Sequence, residues 1–294
     1  MAVGNSIQIE SFAFELADIA DIPVEALHAL SIGVRWPHRP EDWAFLKAFG
    51  QGIVARDGIG RVMGTAMWFP MQDDFATIGM VITSPRLQTQ GTGRWMMDHV
   101  LERTQGLRLG LSATAAAKRL YLSLGFNVEA TVYQCQGEAS YAATETPECA
   151  IRSLGTADLA AMVALDKAAF GAGREPLMTM LLAHSTAIGL ERNGKLQAFS
   201  LCRPFGRGHV IGPVVAANDS DAIAVTAPHV AAHQGQFLRL DTRQATGAFA
   251  AFVQQSGLTV FDTVTTMSLH APWPVVGGET GRMLTYALAS QAVG

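Results

Sequence analysis

Cysteine is scarce in this 294-residue chain, and it is badly spaced for structural work. Cys135, Cys149 and Cys202 make an odd count with no C-x-x-C, which speaks against a disulfide framework or a zinc ribbon and points to free thiols. Eight histidines form no H-x-x-x-H or H-E-x-x-H pattern, so no metal is expected. No apolar run reaches the roughly 20 residues of a membrane span. The opening MAVGNSIQIE lacks the basic and apolar parts of a signal peptide, so a soluble, cytoplasmic protein without a membrane partner is expected. Charge of one sign is also missing. The 21 basic and 25 acidic residues leave a net charge of −4, and no basic stripe carries interleaved aromatics, which disfavours a nucleic-acid surface.

Hydrophobic residues at 49% and charged residues at 16% describe a globular chain, long enough for two domains. Residues 138–148, poor in periodicity and rich in small and turn-forming residues, read as a linker between domains at 1–137 and 149–294. In the first half, Ile7 to Phe12, Gly50 to Ala55, Arg61 to Phe69 and Phe75 to Thr83 read as strands, and Ala20 to Leu30 as a helix. A Gly-rich turn and a helix follow. Leu107 to Leu111 is then a strand, Ala115 to Leu124 a helix ended by Gly125, and Phe126 to Gln136 one or two more strands. The second half repeats the order: Ala157 to Leu165 echoes the first helix, Phe237 to Asp241 echoes Gly106 to Gly110, and Ala248 to Leu258 echoes Ala117 to Phe126. Strands alternating with helices imply an α/β (α+β) arrangement, with a mixed sheet because the early strands follow one another directly.

The turn QTQGTGR at 88–94 has two glycines one residue apart, between a strand and a helix, as a phosphate cradle or an ordinary tight turn would. A Walker loop fails because Arg94-Trp95 stands where Lys-Ser/Thr is needed. A dinucleotide fingerprint fails because Met96 stands where a third glycine is needed. Pro85-Arg-Leu-Gln88-Thr-Gln-Gly91-Thr-Gly93 instead resembles the [RQ]-x-x-G-x-[GA] pyrophosphate loop of the GNAT acyltransferases, and Ala117-Lys-Arg-Leu-Tyr121-Leu-Ser-Leu-Gly-Phe126 resembles their A-x-x-L-Y-x-x-x-G-F helix. Physically, glycines 91 and 93 lack the Cβ that would block phosphate oxygens from backbone N–H groups at a helix start.

The resemblance implies two tandem GNAT folds, each a mixed, mostly antiparallel sheet flanked by helices, and acetyl-CoA as cosubstrate with no metal. It assigns cofactor contacts to Val81, Thr83, Gln88, Gly91, Thr92, Gly93, Arg94 and Thr114, the last standing where many members have Asn. It implies direct attack by an amine, an oxyanion donor on the strand near Val81, and Tyr121 as the acid that protonates the leaving thiolate. The base is open between Asp73 or Asp74 in the turn before the strand and His38. Trp36, His38 and Arg39, in the aromatic and basic stretch 35–43, are nominated as acceptor contacts.

The second half resembles the C-terminal acetyltransferase-like domain of tandem GNAT proteins of the YitH type, in residues 164–174, 203–213 and 286–294. Its place for the cradle reads Val210 to Ala222 without the glycine pattern, Asp219 and Asp221 would repel a diphosphate, and Val253 replaces the tyrosine. It is therefore not expected to bind the cofactor in the usual way. Asp166, Arg174 and Arg203 either pair with each other structurally or face the first domain's cleft as acceptor contacts. The reading is an N-acetyltransferase acting on a small-molecule or peptide amine; the alternative is a non-catalytic acyl-CoA sensor or interaction module. Monomer and homodimer both stay open, since a fused tandem can replace a homodimer interface.

Overall fold

The computed structural model describes residues 4, 6–9, 12–88, 91–140, 150–273 and 282–294. The first half runs β1 (Ser6–Ile9), β2 (Phe12–Asp18), α1 (Val24–Gly33), α2 (Pro40–Phe49), β3 (Gln51–Asp57), β4 (Val62–Pro70) and β5 (Phe75–Thr83). It continues with α3 (Thr92–Arg103), β6 (Arg108–Ala113), α4 (Lys118–Ser123) and β7 (Asn127–Glu138). The second half comprises β8 (Ala150–Ser153), α5 (Leu159–Phe170), α6 (Glu175–Ala183), β9 (Thr186–Arg192), β10 (Lys195–Phe205) and β11 (Gly208–Ala216). It closes with α7 (Asp219–Ala232), β12 (Phe237–Thr242), α8 (Ala248–Gln255), β13 (Thr259–Leu269) and β14 (Leu284–Ala287).

Local chemistry sets several boundaries. The expected helix over 20–30 begins late, at Val24, because Pro23 stands just before it with extended backbone after a separate 3-10 turn at Ile19–Asp21. Helix α2 opens on Pro40 at its first turn, its start fixed by the Asp42 carboxylate, which accepts the Arg39 backbone N–H at 2.8 Å. Trp43, fully buried, donates its indole N–H to Ser31 at 2.8 Å and so locks α2 onto α1. The strand expected over 7–12 is two strands paired as a hairpin.

All fourteen strands among the described residues join one sheet, ordered β1-β2-β3-β4-β5-β6-β13-β7-β12-β11-β10-β9-β8, with β14 on β11. The pairs β5–β6 and β11–β12 are parallel and the others antiparallel. The order is not that of the sequence. Strand β13, from the second half, lies between β6 and β7, and β7, from the first half, lies between β13 and β12. Each half thus lends a strand to the other. One apolar cluster spans both halves, from Ile19, Trp43 and Met80 to Met178, Phe199 and Val293; others lie under α3 and under α7 and α8.

Of the stretch expected as a linker, residues 141–148 lie outside the described residues, as does Cys149. Ala139 and Ser140 continue from β7 by donating to the carbonyls of Gln236 and Ser256, both at 2.9 Å. The lent strands make the halves interdependent. A chain cut at a protease site introduced between Ser140 and Ala150 is therefore expected to elute as one species in native size-exclusion chromatography. Residues 1–140 expressed alone are expected to lose the cooperative thermal transition of the whole chain.

Candidate active site

Strands β5 and β6 are paired from Phe75 and Arg108 to Ile78 and Leu111, and there the pairing stops. On the other side β5 bulges. Met67 opposes Gly79 while Thr65 opposes Ile82, so Met80 and Val81 together face a single residue of β4. Met80 takes a left-handed backbone, φ 52°, a conformation that costs a residue with a Cβ about 1–3 kcal/mol. The Thr65 hydroxyl holds its carbonyl at 2.7 Å. Because N–H and C=O of one trans peptide point in opposite directions, the Val81 N–H is turned away from β4. A cleft opens here, lined by Gly79, Met80 and Val81 on one wall and by Ser112, Thr114, Ala117 and Tyr121 on the other.

The glycine turn leads into the same region. Gly91 is left-handed, φ 88°, and begins α3 with no side-chain cap among the described residues, which leaves the first N–H groups of the helix without a described side-chain partner. Among the described residues a Cβ at Gly91 would touch nothing, and one at Gly93 would make only ordinary contacts with Leu120 and Thr83. Internal packing therefore does not demand glycine at 93, where it costs a helix about 1 kcal/mol against alanine. Thr92 is fully buried, and its hydroxyl has no hydrogen-bond partner among the described residues. Gln88 donates to the Thr83 carbonyl at 3.3 Å, which ties the loop to the end of β5. Arg94 departs from the expectation of a phosphate contact, since its guanidinium pairs with Asp98 at 2.9 Å one turn along α3. Thr89 and Gln90 lie outside the described residues. Open N–H groups, unfilled space at Gly91 and an orphaned buried hydroxyl together fit a diphosphate.

Tyr121 is 5% exposed, packs edge-on against Phe126 at 5.8 Å, and has no hydrogen-bond partner for its hydroxyl among the described residues. Burial pushes its pKa above the usual tyrosine value, so it stays protonated. The Thr114 hydroxyl accepts from Ala117 N–H at 3.4 Å, capping the turn into α4.

The opposite end of the cleft is built by both halves. His38 sits among the rings of Trp36, Phe205 and Trp43 at 5.6, 5.6 and 6.3 Å. Its Nδ1 is buried without a partner, and burial lowers its pKa to about 4. Arg39 is spent on Asp42 at 2.9 Å, and Asp42 in turn accepts the Gly206 N–H of the second half at 2.9 Å. Burial would raise the Asp42 pKa, but the hydrogen bonds from Arg39 and Gly206 outweigh it and hold the carboxyl below its ordinary value.

Asp74 does not reach the cleft. It is exposed in the turn at the start of β5, beyond the strand from Val81, and neighbouring Asp73 is bound to Lys167 at 3.0 Å and to the Gly173 N–H at 3.0 Å. That turn docks onto the loop between α5 and α6 instead.

Asp166 and Arg174 pair with each other, whereas Arg203 has no ion pair among the described residues. Arg174 grips Asp166 with two bonds of 2.7 and 2.9 Å, both residues 1% exposed, and donates to the carbonyls of Val293 and Gly294 at 3.0 and 2.6 Å. Arg203 donates to Ala289 at 3.1 Å. Together they fix residues 288–294, and these put Ser290, Gln291 and Ala292 into the cleft wall, with Ala292 set directly against Gly79. The tail, Phe205, Arg35 and Asp262 are lining residues that sequence reasoning missed. Phe205 and the tail lie in the 203–213 and 286–294 stretches and Arg35 opens the 35–43 stretch, whereas no local pattern marks Asp262.

In the second half the corresponding gap is filled from within. Strands β11 and β12 pair only at His209–Leu238 and Val210–Arg239, and beyond that point β14 pairs with β11 through Val214, Val215 and Ala216. At the start of α7, Asn218 caps the helix at 2.9 Å. Asp219 accepts Phe249 N–H and the Tyr286 hydroxyl, both at 3.0 Å, and Asp221 binds Arg192 at 2.6 and 2.8 Å. A strand of the chain and two engaged carboxylates stand where the first half has an open slot and open donors.

Comparison with known proteins agrees with this duplicated geometry. Two acetyltransferase (GNAT) domain models match, one over residues 48–128 and one over 162–275. An uncharacterized N-acetyltransferase, YitH, from Bacillus subtilis is 26% identical over 223 residues, covering 74% of this chain and 76% of its own. A putative acetyltransferase of Pyrococcus horikoshii superposes with a TM-score of 0.78 at 16% identity, over 98% of both chains. A tandem GNAT protein from the clavulanic acid biosynthesis pathway gives 0.62 at 12% identity, over 87% of this chain and 98% of that one. With two GNAT matches in sequence order and a splayed parallel strand pair in each half, the chain is a tandem member of the GNAT acetyltransferase family.

Proposed function

We propose that the chain is an acetyl-CoA-dependent N-acetyltransferase with one working site, in the first half. The observation that carries this reading is the β5 bulge and Tyr121 lining one cleft, with the glycine at the second position of α3 set beside Thr83 at the end of β5 and Leu120 of α4. Thr83, Gln88, Gly91, Thr92 and Gly93 would hold the diphosphate and the adjoining arm, with Thr114 on the facing wall. When bound, acetyl-CoA supplies a thioester whose acyl carbon is open to direct attack by an amine.

The chain's own groups do the rest. The Val81 N–H is the donor for a developing oxyanion, fixed in direction by the Thr65–Met80 bond. Tyr121, kept protonated by burial, holds the proton that the leaving sulfur takes. The attacking amine must shed a proton, and His38 is a weak acceptor because burial keeps it neutral well below pH 7. Asp262, the sole carboxylate lining the cleft among the described residues, is exposed at its edge and relays that proton to water. His38 and Trp36 act as acceptor-side walls.

The tail against Gly79 favours a second reading, an acyl-CoA sensor whose acceptor side is closed by its own chain. Isothermal titration with acetyl-CoA tests binding for both readings: one site per chain is expected, lost in Gly91→Glu because a charged side chain cannot take φ 88° beside a diphosphate. Retained binding in that variant overturns the site. Tyr121→Phe separates enzyme from sensor. Normal titration with kcat reduced about 100-fold or more is expected for the enzyme; wild type that binds but acetylates no member of a broad amine panel supports the sensor.

His38 also gives a pH signature. Its folded pKa of about 4 lies below the ordinary 6.5, so the unfolded chain takes up the proton first as pH falls. The stability it contributes is complete above about pH 6.5 and is lost on acidification toward pH 4. Thermal midpoints measured across that range are expected to fall, and less steeply in His38→Phe; an unchanged slope contradicts the assignment.

A further inference from the structure

We propose that the acceptor is an amine that also carries an anionic group, held by Arg35 and Arg207 in the groove between the two halves. This rests on the acetyltransferase reading of the same cleft. Beyond His38 the cleft continues into an outer groove lined by Arg35, Pro37, Gln136, Arg207, Phe237 and Phe261. Arg35 faces both parts. It ends α1 with φ 62°, its N–H bonded to the Ile32 carbonyl at 2.9 Å and the next N–H to Ser31 at 2.9 Å. Helices usually place glycine at such a position, because a residue with a Cβ is strained there. The arginine gains no local compensation, since among the described residues its guanidinium has no ion pair or hydrogen bond.

Arg207, in the turn between β10 and β11, is exposed and likewise has no side-chain partner among the described residues. Arg239 between them is neutralised by Asp241, which it grips at 2.8 and 3.1 Å, and lies over the Phe205 ring at 5.5 Å. Two uncompensated guanidinium groups therefore face the outer groove, and the one carboxylate, Asp262, lines the cleft itself. Asp262 and Tyr121 line the inner cleft, Arg207 lines the outer groove and Arg35 lines both, which suits a zwitterion with its amine toward Tyr121 and its anion at the arginines, where a carboxylate or phosphate accepts several N–H bonds at once. Trp36, Phe205 and Phe261, the last 65% exposed, give the space between them apolar walls.

The test is isothermal titration of the CoA-saturated whole chain with phenylalanine, with its neutral amide and with an aminoalkyl phosphate. Each anionic ligand is expected to bind at least tenfold more tightly than the amide, with the larger effect identifying carboxylate or phosphate as the anion. Arg35→Gly, which relieves the left-handed strain, and Arg207→Gln are each expected to cut that preference at least fivefold. A thermal midpoint of Arg35→Gly at or above that of wild type shows that the loss is not unfolding. Equal affinity for all three ligands, no binding of any, or a preference untouched by both variants overturns the proposal. Titration of the same samples with acetyl-CoA reports separately on the acetyltransferase reading, which stands if acetyl-CoA binds and the anion preference is absent.

Discussion

The exchange of β7 and β13 is the constraint on which this molecule depends. Each of these strands has both neighbours in the opposite half, so its backbone donors and acceptors are satisfied only when the halves are together. A strand without its ladder would expose a row of unpaired groups at an apolar edge. The exchange also decides what the cleft is made of. Phe261, Asp262 and Val264 belong to β13, yet they line a site whose other wall is β5. This wall of the cleft is thus a product of the fused sheet, and it would not exist in the first half alone.

A second layer of order comes from buried charge. The Asp166–Arg174 pair is fully enclosed, and a buried ion pair brings net stability only when its remaining hydrogen-bonding capacity is met. Here it is met by the carbonyls of Val293 and Gly294, with the Phe170 ring 4.0 Å from the guanidinium carbon. The pair therefore acts at a distance from the chemistry, holding the tail that shapes the cleft. Asp42 plays a similar role on the other side, using one carboxylate to start α2, to pair Arg39 and to receive Gly206 from the second half.

Much of this was legible in the sequence because it is written locally. The strand at Phe75 to Thr83, the helix after Gly91 and the tyrosine helix follow from periodicity, from glycine conformation and from two short motifs. The absence of a second glycine turn was legible too, with Asp219 and Asp221 in its place. What could not be read is non-local. Nothing in the spacing of Val128 or Thr263 says that their strands change partners. Asp74 looked catalytic from its place before β5, but that turn lies at the far end of a nine-residue strand, and one carboxylate in it is spent on Lys167. Arg35 opens the marked stretch at 35–43 but is not singled out within it, because what sets it apart is a backbone angle.

The strand that occupies the second half's slot also bears on how such a chain comes about after duplication. An aspartate at the first turn of α7 would be ruinous in a copy that still had to receive a polyanion. Once β14 lies against β11, the same position faces only the chain itself, and a carboxylate there becomes useful, tying the start of α8 to Tyr286. Self-occupation thus turns a gap between two parallel strands into scaffold, held by backbone pairing and by carboxylates that the chain itself satisfies.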